Sequence, residues 1–267
     1  MISNHLESRI PGFSKVQNLT RSKGWPYIAT WAHRISGVFL VIYLAFHIIT
    51  LSSLQTPEKF IEKMNFFSKV FPGYLEWFLA IPVIYHSLNG GRLILYEIFG
   101  HRNDKTLLRS ILIISLIYLF LLAIFMVVGD QSVSPFFFWS QVSAASFCLA
   151  LITITKLKNN KASIFWKLQR ISGAFLFIMI PAHMIFMHLD PIIGRDIQVI
   201  TERMNSLFIK CIDMGIVISA LYHSCYGLTG ICLDYIADRT GRLICSVAII
   251  VVTTILAIIG IKLTIFI

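Results

Sequence analysis

Charged side chains are scarce in this chain. Only 13% of its 267 residues are Asp, Glu, Lys or Arg, whereas 57% are hydrophobic and the mean hydropathy is +0.77. Soluble domains carry about a quarter charged residues, so the composition excludes an ordinary globular domain. The apolar residues form runs of roughly 20, the length that an α-helix needs to cross a bilayer.

Cysteine pairs and glycine-rich nucleotide motifs are also missing. The five cysteines lie in apolar stretches and none forms a CxxC pair, which excludes a disulfide framework and a cysteine zinc site. No Gly-rich strand–turn–helix pattern for FAD and no cysteine ladder for iron–sulfur clusters is present. No cleavable signal peptide is predicted. The net charge of +10 is spread between the apolar runs, which argues against a nucleic-acid partner.

The apolar runs predict an all-α integral membrane bundle of about seven transmembrane helices. Sixteen Lys and Arg residues lie in the segments on one side and seven on the other. By the positive-inside rule, we expect a multi-pass protein of a bacterial-type inner (cytoplasmic) membrane, with the N-terminus inside and the C-terminus outside. The predicted spans are about 29–52, 74–99, 107–129, 134–155, 166–188, 207–235 and 243–266.

An internal repeat relates two halves of the chain. The motif Arg-Ile-Ser-Gly at 34–37 recurs at 170–173, and Tyr-His-Ser at 85–87 recurs at 222–224. The offsets of 136 and 137 residues indicate a duplication. Each half is a three-helix unit that starts inside, so the fourth span must return the chain, as in parallel repeats. The predicted organisation is an inner N-terminal arm at 1–28, a first repeat at 29–129, a linking helix and inner loop at 130–160, and a second repeat at 161–267.

Four histidines lie deep in the predicted spans, as two repeat-related pairs. Ionisable groups inside a bilayer are costly, so each histidine needs a partner or a task. Facing histidines in a helix bundle can be the axial ligands of b-type haem. The alternative is that each imidazole is satisfied by a neighbouring carbonyl. Equal depth predicts that His86 and His223 hold one haem and that His47 and His183 hold a second, with two haems expected and one possible.

Other residues are candidates for haem contact. Gly90 and Gly227 follow their histidines by one turn, where a flat macrocycle could approach the backbone or helices could pack closely. His33 and Arg34 stand together at the inner face, where positive charge could meet a haem propionate, and Arg170 repeats Arg34. His188 at the outer end is interpreted as interfacial.

These motifs resemble the membrane-anchor subunits of succinate dehydrogenase and fumarate reductase. One anchor subunit reads His-Arg-x-Ser/Thr-Gly, then His, then His-x-x-x-Gly-x-Arg, which this chain matches at 33–37, 47 and 86–92. Its partner reads Arg-x-Ser-Gly, His, and His-x-x-x-Gly with a later Asp-Tyr, matched at 170–173, 183 and 223–235. The resemblance covers about 25–100 and 164–240. It implies a fusion of two anchor subunits of the two-haem type.

The resemblance also implies a function. A flavoprotein subunit would oxidise succinate, an iron–sulfur subunit would pass the electrons on, and this chain would deliver them to quinone through haem b. The quinone would bind where the inner ends of the first, second and sixth spans meet, at Thr30, Arg34, Asp234 and Tyr235. The alternative is that these four side chains only anchor the helix ends at the membrane–water interface, with their polar ends reaching towards water.

Other functions stay open at this point. A fumarate reductase anchor uses the same scaffold in the opposite direction. The remaining possibilities are another di-haem membrane b-cytochrome, a haem-free structural anchor, and a transporter that uses the histidines as a proton relay. The haem content of the purified chain separates the haem-free anchor and the transporter from the haem-binding alternatives.

Overall fold

The computed structural model describes residues 24–70, 73–100, 103–128, 134–188 and 196–266. Within these ranges the regular secondary structure is helical, with a short 3-10 turn at Ser52–Gln55. The α-helices are Trp25–Leu51 (α1), Pro57–Val70 (α2), Gly73–Ile98 (α3), Asp104–Val128 (α4), Pro135–Leu157 (α5), Ile164–His188 (α6), Ile197–Met204 (α7), Leu207–Tyr235 (α8) and Arg239–Phe266 (α9).

Seven of these helices are long and apolar enough to cross a membrane, which confirms the predicted all-α class and the number of spans. The helices extend beyond the apolar runs. α1 begins at Trp25, with Pro26 in its first turn, where the missing N–H of proline costs nothing. α9 begins at Arg239, because an arginine at a helix end can reach the headgroup region while its stem stays apolar. Residues 1–23 of the predicted arm lie outside the described residues.

The short helices α2 and α7 were not predicted. Four charged residues between Glu58 and Lys63 lower the hydropathy of α2, so the segment does not resemble a span. Its apolar face is nevertheless buried against α7 and the end of α9, with Phe60 only 1% exposed. The two helices therefore form a cap over one end of the bundle, held by Leu54, Phe60, Met204 and Leu263.

Four helices bring the two halves of the repeat together. α1 packs against α3 and α8, and α6 packs against the same two helices, so the four form a ring. α4 lies outside α3, α5 lies outside α6, and α9 packs against α8 and α1. The ring carries all four deep histidines, one from each helix. The linking helix α5 adds the fully buried Trp139 to the largest apolar cluster, between α6 and α8.

Candidate haem and quinone sites

His86 of α3 and His223 of α8 face each other across the ring; we call them the proximal pair. Their ring centroids are 6.2 Å apart and their planes make an angle of 82°. Two imidazoles on opposite sides of one metal ion, with metal–nitrogen bonds of about 2.0 Å, have ring centroids about 6.4 Å apart. The predicted pairing thus has the spacing that axial ligation requires.

The serine of the repeated motif holds His86 in place. Its Nδ1 atom lies 3.1 Å from the carbonyl oxygen of His33 and 3.3 Å from Oγ of Ser36. The Ser36 hydroxyl donates to the same carbonyl at 2.9 Å. A ring whose Nδ1–H donates to a carbonyl keeps its Nε2 lone pair for a metal, as ligating histidines in proteins commonly do. This small network therefore selects the tautomer that can bind iron.

The second half repeats this network at equivalent positions. Oγ of Ser172 lies 3.5 Å from Nδ1 of His223 and donates to the Gln169 carbonyl at 3.0 Å. The Gln169 backbone also hydrogen-bonds the His223 ring. The duplication found in the sequence thus includes the hydrogen bonds that hold the two histidines, and Gln169 takes the place that His33 has in the first half.

The glycines of the same motif make room for the histidine rings. A Cβ on Gly37 would lie 2.9 Å from Cε1 of His86, and one on Gly173 would lie 3.2 Å from Cε1 of His223. Real Cβ atoms essentially never come closer than 3.0 Å. Any side chain at 37 must therefore displace the ring. Sequence reasoning missed this role, although the recurrence of Ser-Gly at one fixed distance from both arginines was its signal.

Gly90 and Gly227, the glycines one turn after His86 and His223, each face a side chain of a neighbouring helix. A Cβ on Gly90 would lie 3.6 Å from Cε1 of His33, and one on Gly227 would lie 3.8 Å from Nε2 of Gln169. These are ordinary contacts, so both glycines face residue 33 or its repeat equivalent. The His33 ring stacks on His86 with centroids 3.9 Å apart and planes 9° from parallel.

Two ion pairs join the halves crosswise near the proximal pair. Arg34 of the first half binds Asp234 of the second at 2.6 Å, and Arg170 of the second binds Glu97 of the first at 2.5 Å. The arginines are repeat equivalents, and so are the acids. Each half therefore supplies a cation to one pair and an anion to the other.

Three of the four predicted quinone-site residues meet at the first ion pair. Arg34 also donates to the hydroxyl oxygen of Tyr235 at 2.5 Å. Thr30 lies one turn away, and its hydroxyl donates to the carbonyl of Pro26 within α1 at 2.9 Å. Trp31, which was not predicted, packs its ring 5.2 Å from that of Tyr235. The Asp234 side chain is 53% exposed, so the cluster lies at the edge of the bundle.

His47 and His183 meet as predicted, with ring centroids 6.3 Å apart and planes at 89°. His188 joins them, 5.9 Å from His47 and 5.7 Å from His183, although it was interpreted as interfacial. We call these three residues the distal cluster. Five residues turn about 140° around an ideal helix, so spacing alone places His183 and His188 on different faces. Pro181 interrupts the regular bonding of α6 just before them.

Two tyrosines tie the ligand helices to their neighbours in the same repeat-related way. The Tyr85 hydroxyl donates to the Ala29 carbonyl at 3.0 Å, and the Tyr222 hydroxyl donates to the Phe165 carbonyl at 2.8 Å. Changing either tyrosine to phenylalanine is expected to lower the free energy of unfolding by about 0.6 kcal/mol, the mean for interhelical bonds in membranes. The loss should be additive in the double variant, since the two bonds share no partner. The free energy of unfolding is measured in denaturing detergent, and a loss of more than about 2 kcal/mol in a single variant would contradict the prediction.

The comparison with protein families identifies the family of the chain. A family model described as succinate dehydrogenase/fumarate reductase transmembrane subunit matches residues 16–126 and 153–260. The chain belongs to this family. The two matched stretches correspond to the two halves of the repeat and leave out most of the linking helix α5, which confirms the resemblance given by the histidine motifs.

Part of the chain is also similar to a curated relative. The succinate dehydrogenase 2 membrane subunit SdhC of Mycobacterium tuberculosis is 29% identical over 93 residues, which are 33% of this chain and 68% of the relative. No solved structure matches the chain. Membership of the succinate dehydrogenase/fumarate reductase family makes this chain a multi-pass membrane subunit of that kind.

Proposed function

We propose that the chain is the cytochrome b membrane anchor of a succinate:quinone oxidoreductase. It would accept electrons from the iron–sulfur subunit of the same complex, whose flavoprotein subunit oxidises succinate, and deliver them to quinone. The observation that carries the proposal is the proximal pair, with its centroid spacing of 6.2 Å and anchored Nδ1 atoms. A quinol:fumarate reductase anchor would use the same residues in the opposite direction.

The residues of the proximal pair fit a haem. His86 and His223 would be its axial ligands, and the bound haem would supply a one-electron relay between the iron–sulfur subunit and quinone. Around them, Nδ1 of His33 and Oε1 of Gln169 are buried without a hydrogen-bond partner. Buried polar atoms in this state are costly, and a polar group of the cofactor would relieve them. This supports the predicted propionate contact of His33, whereas Arg34 and Arg170, the next residues after His33 and Gln169, are engaged in the two ion pairs.

Quinone reduction needs two electrons and two protons for each quinone converted to quinol. Arg34 donates to the Tyr235 oxygen, which leaves the phenolic hydrogen of Tyr235 to donate to a quinone carbonyl. Arg34 also holds the Asp234 carboxylate in an ion pair at the edge of the bundle. From there Asp234 can pass protons from water to the quinone oxygen. Trp31 packs on Tyr235 and bounds the site on the α1 side.

The experiment is a reduced-minus-oxidised optical spectrum of the purified complex with its haem-to-protein ratio. Wild type is expected to show b-type haem that succinate reduces. His86→Ala and His223→Ala should each lose the proximal haem and the succinate–quinone activity. Ile218→Ala changes a 51% exposed residue of α8 and should keep both. Absence of haem from the wild-type complex would contradict the proposal and leave the haem-free anchor and the transporter.

A further inference from the structure

We infer that the distal cluster is a three-histidine binding site for a single divalent transition-metal ion of the zinc or cobalt class. His47, His183 and His188 would be its ligands. The site goes beyond the proposed function and does not depend on haem at the proximal pair. The prediction that His47 and His183 hold a second haem is the competing use of the same imidazoles.

The three rings surround one point. Their centroids form a triangle with sides of 6.3, 5.9 and 5.7 Å, and their ligand atoms all lie within 4.8 Å of one another. The centre of that triangle is about 3.5 Å from each centroid, whereas an imidazole bound to zinc places its centroid about 3.2 Å from the ion. The three rings are therefore spaced closely enough for side-chain adjustments to bring one nitrogen of each onto a shared ion. Within the described ranges, no other three metal-ligating side chains converge in this way.

His188 stands where a haem would have to lie. A haem iron between His47 and His183 would occupy the midpoint of their centroids, with the macrocycle perpendicular to the line joining them. The three distances place the His188 centroid about 4.9 Å from that midpoint, nearly equidistant from both ligands and thus in the macrocycle plane. The carbon skeleton of a haem reaches about 5 Å from its iron, so the two would overlap. A haem requires His188 to move away, whereas an ion uses it where it is.

The donor atoms and their surroundings also suit an ion. Neutral imidazoles are good ligands for zinc, copper and nickel. Nδ1 of His183 is buried without a hydrogen-bond partner, unlike the anchored Nδ1 of His86. Trp139 closes the cluster from the linking helix, with its ring centroid 6.5 Å from that of His183. A bound ion would satisfy the cluster, while the apolar wall formed by Trp139 would keep competing ligands away.

The test uses Co²⁺ as the probe. The purified complex is stripped with a chelator and titrated with Co²⁺, whose visible absorption bands report coordination by nitrogen. We expect wild type to bind one Co²⁺ per chain, displaced by Zn²⁺. His188→Ala should weaken Co²⁺ binding at least about 100-fold and keep the proximal haem. Met187→Ala, a comparable loss of volume at the neighbouring position, should keep both.

Two further variants separate this inference from the proposed function. His223→Ala should lose haem and keep Co²⁺ binding, so the two sites can be lost independently of each other. His188→Gln keeps a polar side chain and replaces His188→Ala in the Co²⁺ titration if the alanine variant does not fold. The inference is overturned if the chain binds two haems, one of which disappears in His47→Ala, or if Co²⁺ binds equally well to both His188 variants.

Discussion

Replacing Gly37 with valine is expected to abolish haem binding at the proximal pair. A Cβ at this position would already lie 2.9 Å from Cε1 of His86, and valine adds two methyl groups to it. The ring must then leave its hydrogen bond to the His33 carbonyl. Metal ligands have to stay within about 0.5 Å of their productive positions, so the displaced Nε2 can no longer share an iron with His223. The measurement is the haem-to-protein ratio of the purified variant.

The matched control for this prediction is Gly230→Val on α8. A Cβ on Gly230 would meet nothing within 4 Å, so the same change in an open position should keep the haem. The equivalent variant Gly173→Val should also lose haem, because a Cβ there would lie 3.2 Å from Cε1 of His223. Full haem content in Gly37→Val would show that His86 is not held as described.

Arg34→Gln is expected to slow quinone reduction by about 100-fold or more, the usual effect of removing a charged donor from a reaction site. The variant loses both the ion pair to Asp234 and the bond to the Tyr235 oxygen. Electrons should still reach the haem, because the ligands and their support stay in place. Stopped-flow measurement should therefore find haem that succinate reduces normally and that quinone reoxidises slowly.

The repeat supplies the control for Arg34→Gln. Arg170→Gln breaks an ion pair of similar length, but its partner Glu97 is followed by Ile98, whereas Asp234 is followed by Tyr235, whose hydroxyl oxygen accepts from Arg34. The rate of quinone reduction in the Arg170→Gln variant should fall by no more than a few-fold. Equal losses in the two variants would mean that the ion pairs support the bundle and that Arg34 has no special part in quinone reduction.

The bundle and the histidine pairs could be predicted because they depend on the length of the apolar spans and on the spacing of the repeated motifs, and both can be read from the sequence. Span length follows from bilayer thickness, and equal offsets of the two motifs place corresponding histidines at equal depth. The pairs of His86 with His223 and His47 with His183 follow from depth alone. Span length and motif spacing do not give the rotation of α6 about its axis or its bending at Pro181. The approach of His188 to the other two rings was therefore not predicted.

The support of the ligands could not be predicted for a related reason. Ser36 and Gly37 are on α1, whereas the histidine that they hold is on α3, and only the packing of the two helices brings them together. Likewise, sequence spacing gives each arginine its equivalent in the other half but does not identify the acid it binds. The helices α2 and α7 were missed because their charged residues hide apolar faces that are buried only once the chain folds, against each other and the end of α9.

The crosswise ion pairs have a consequence for how the two copies could diverge. An identical pair of subunits related by a two-fold axis would carry the same residue after each acid, and both clusters would offer a phenol or neither would. Joining the copies in one chain lets each position mutate alone, and here Tyr235 follows Asp234 while Ile98 follows Glu97. The duplicated scaffold thus keeps the symmetry of its paired histidines and ion pairs, but not that of the residue that follows each acid.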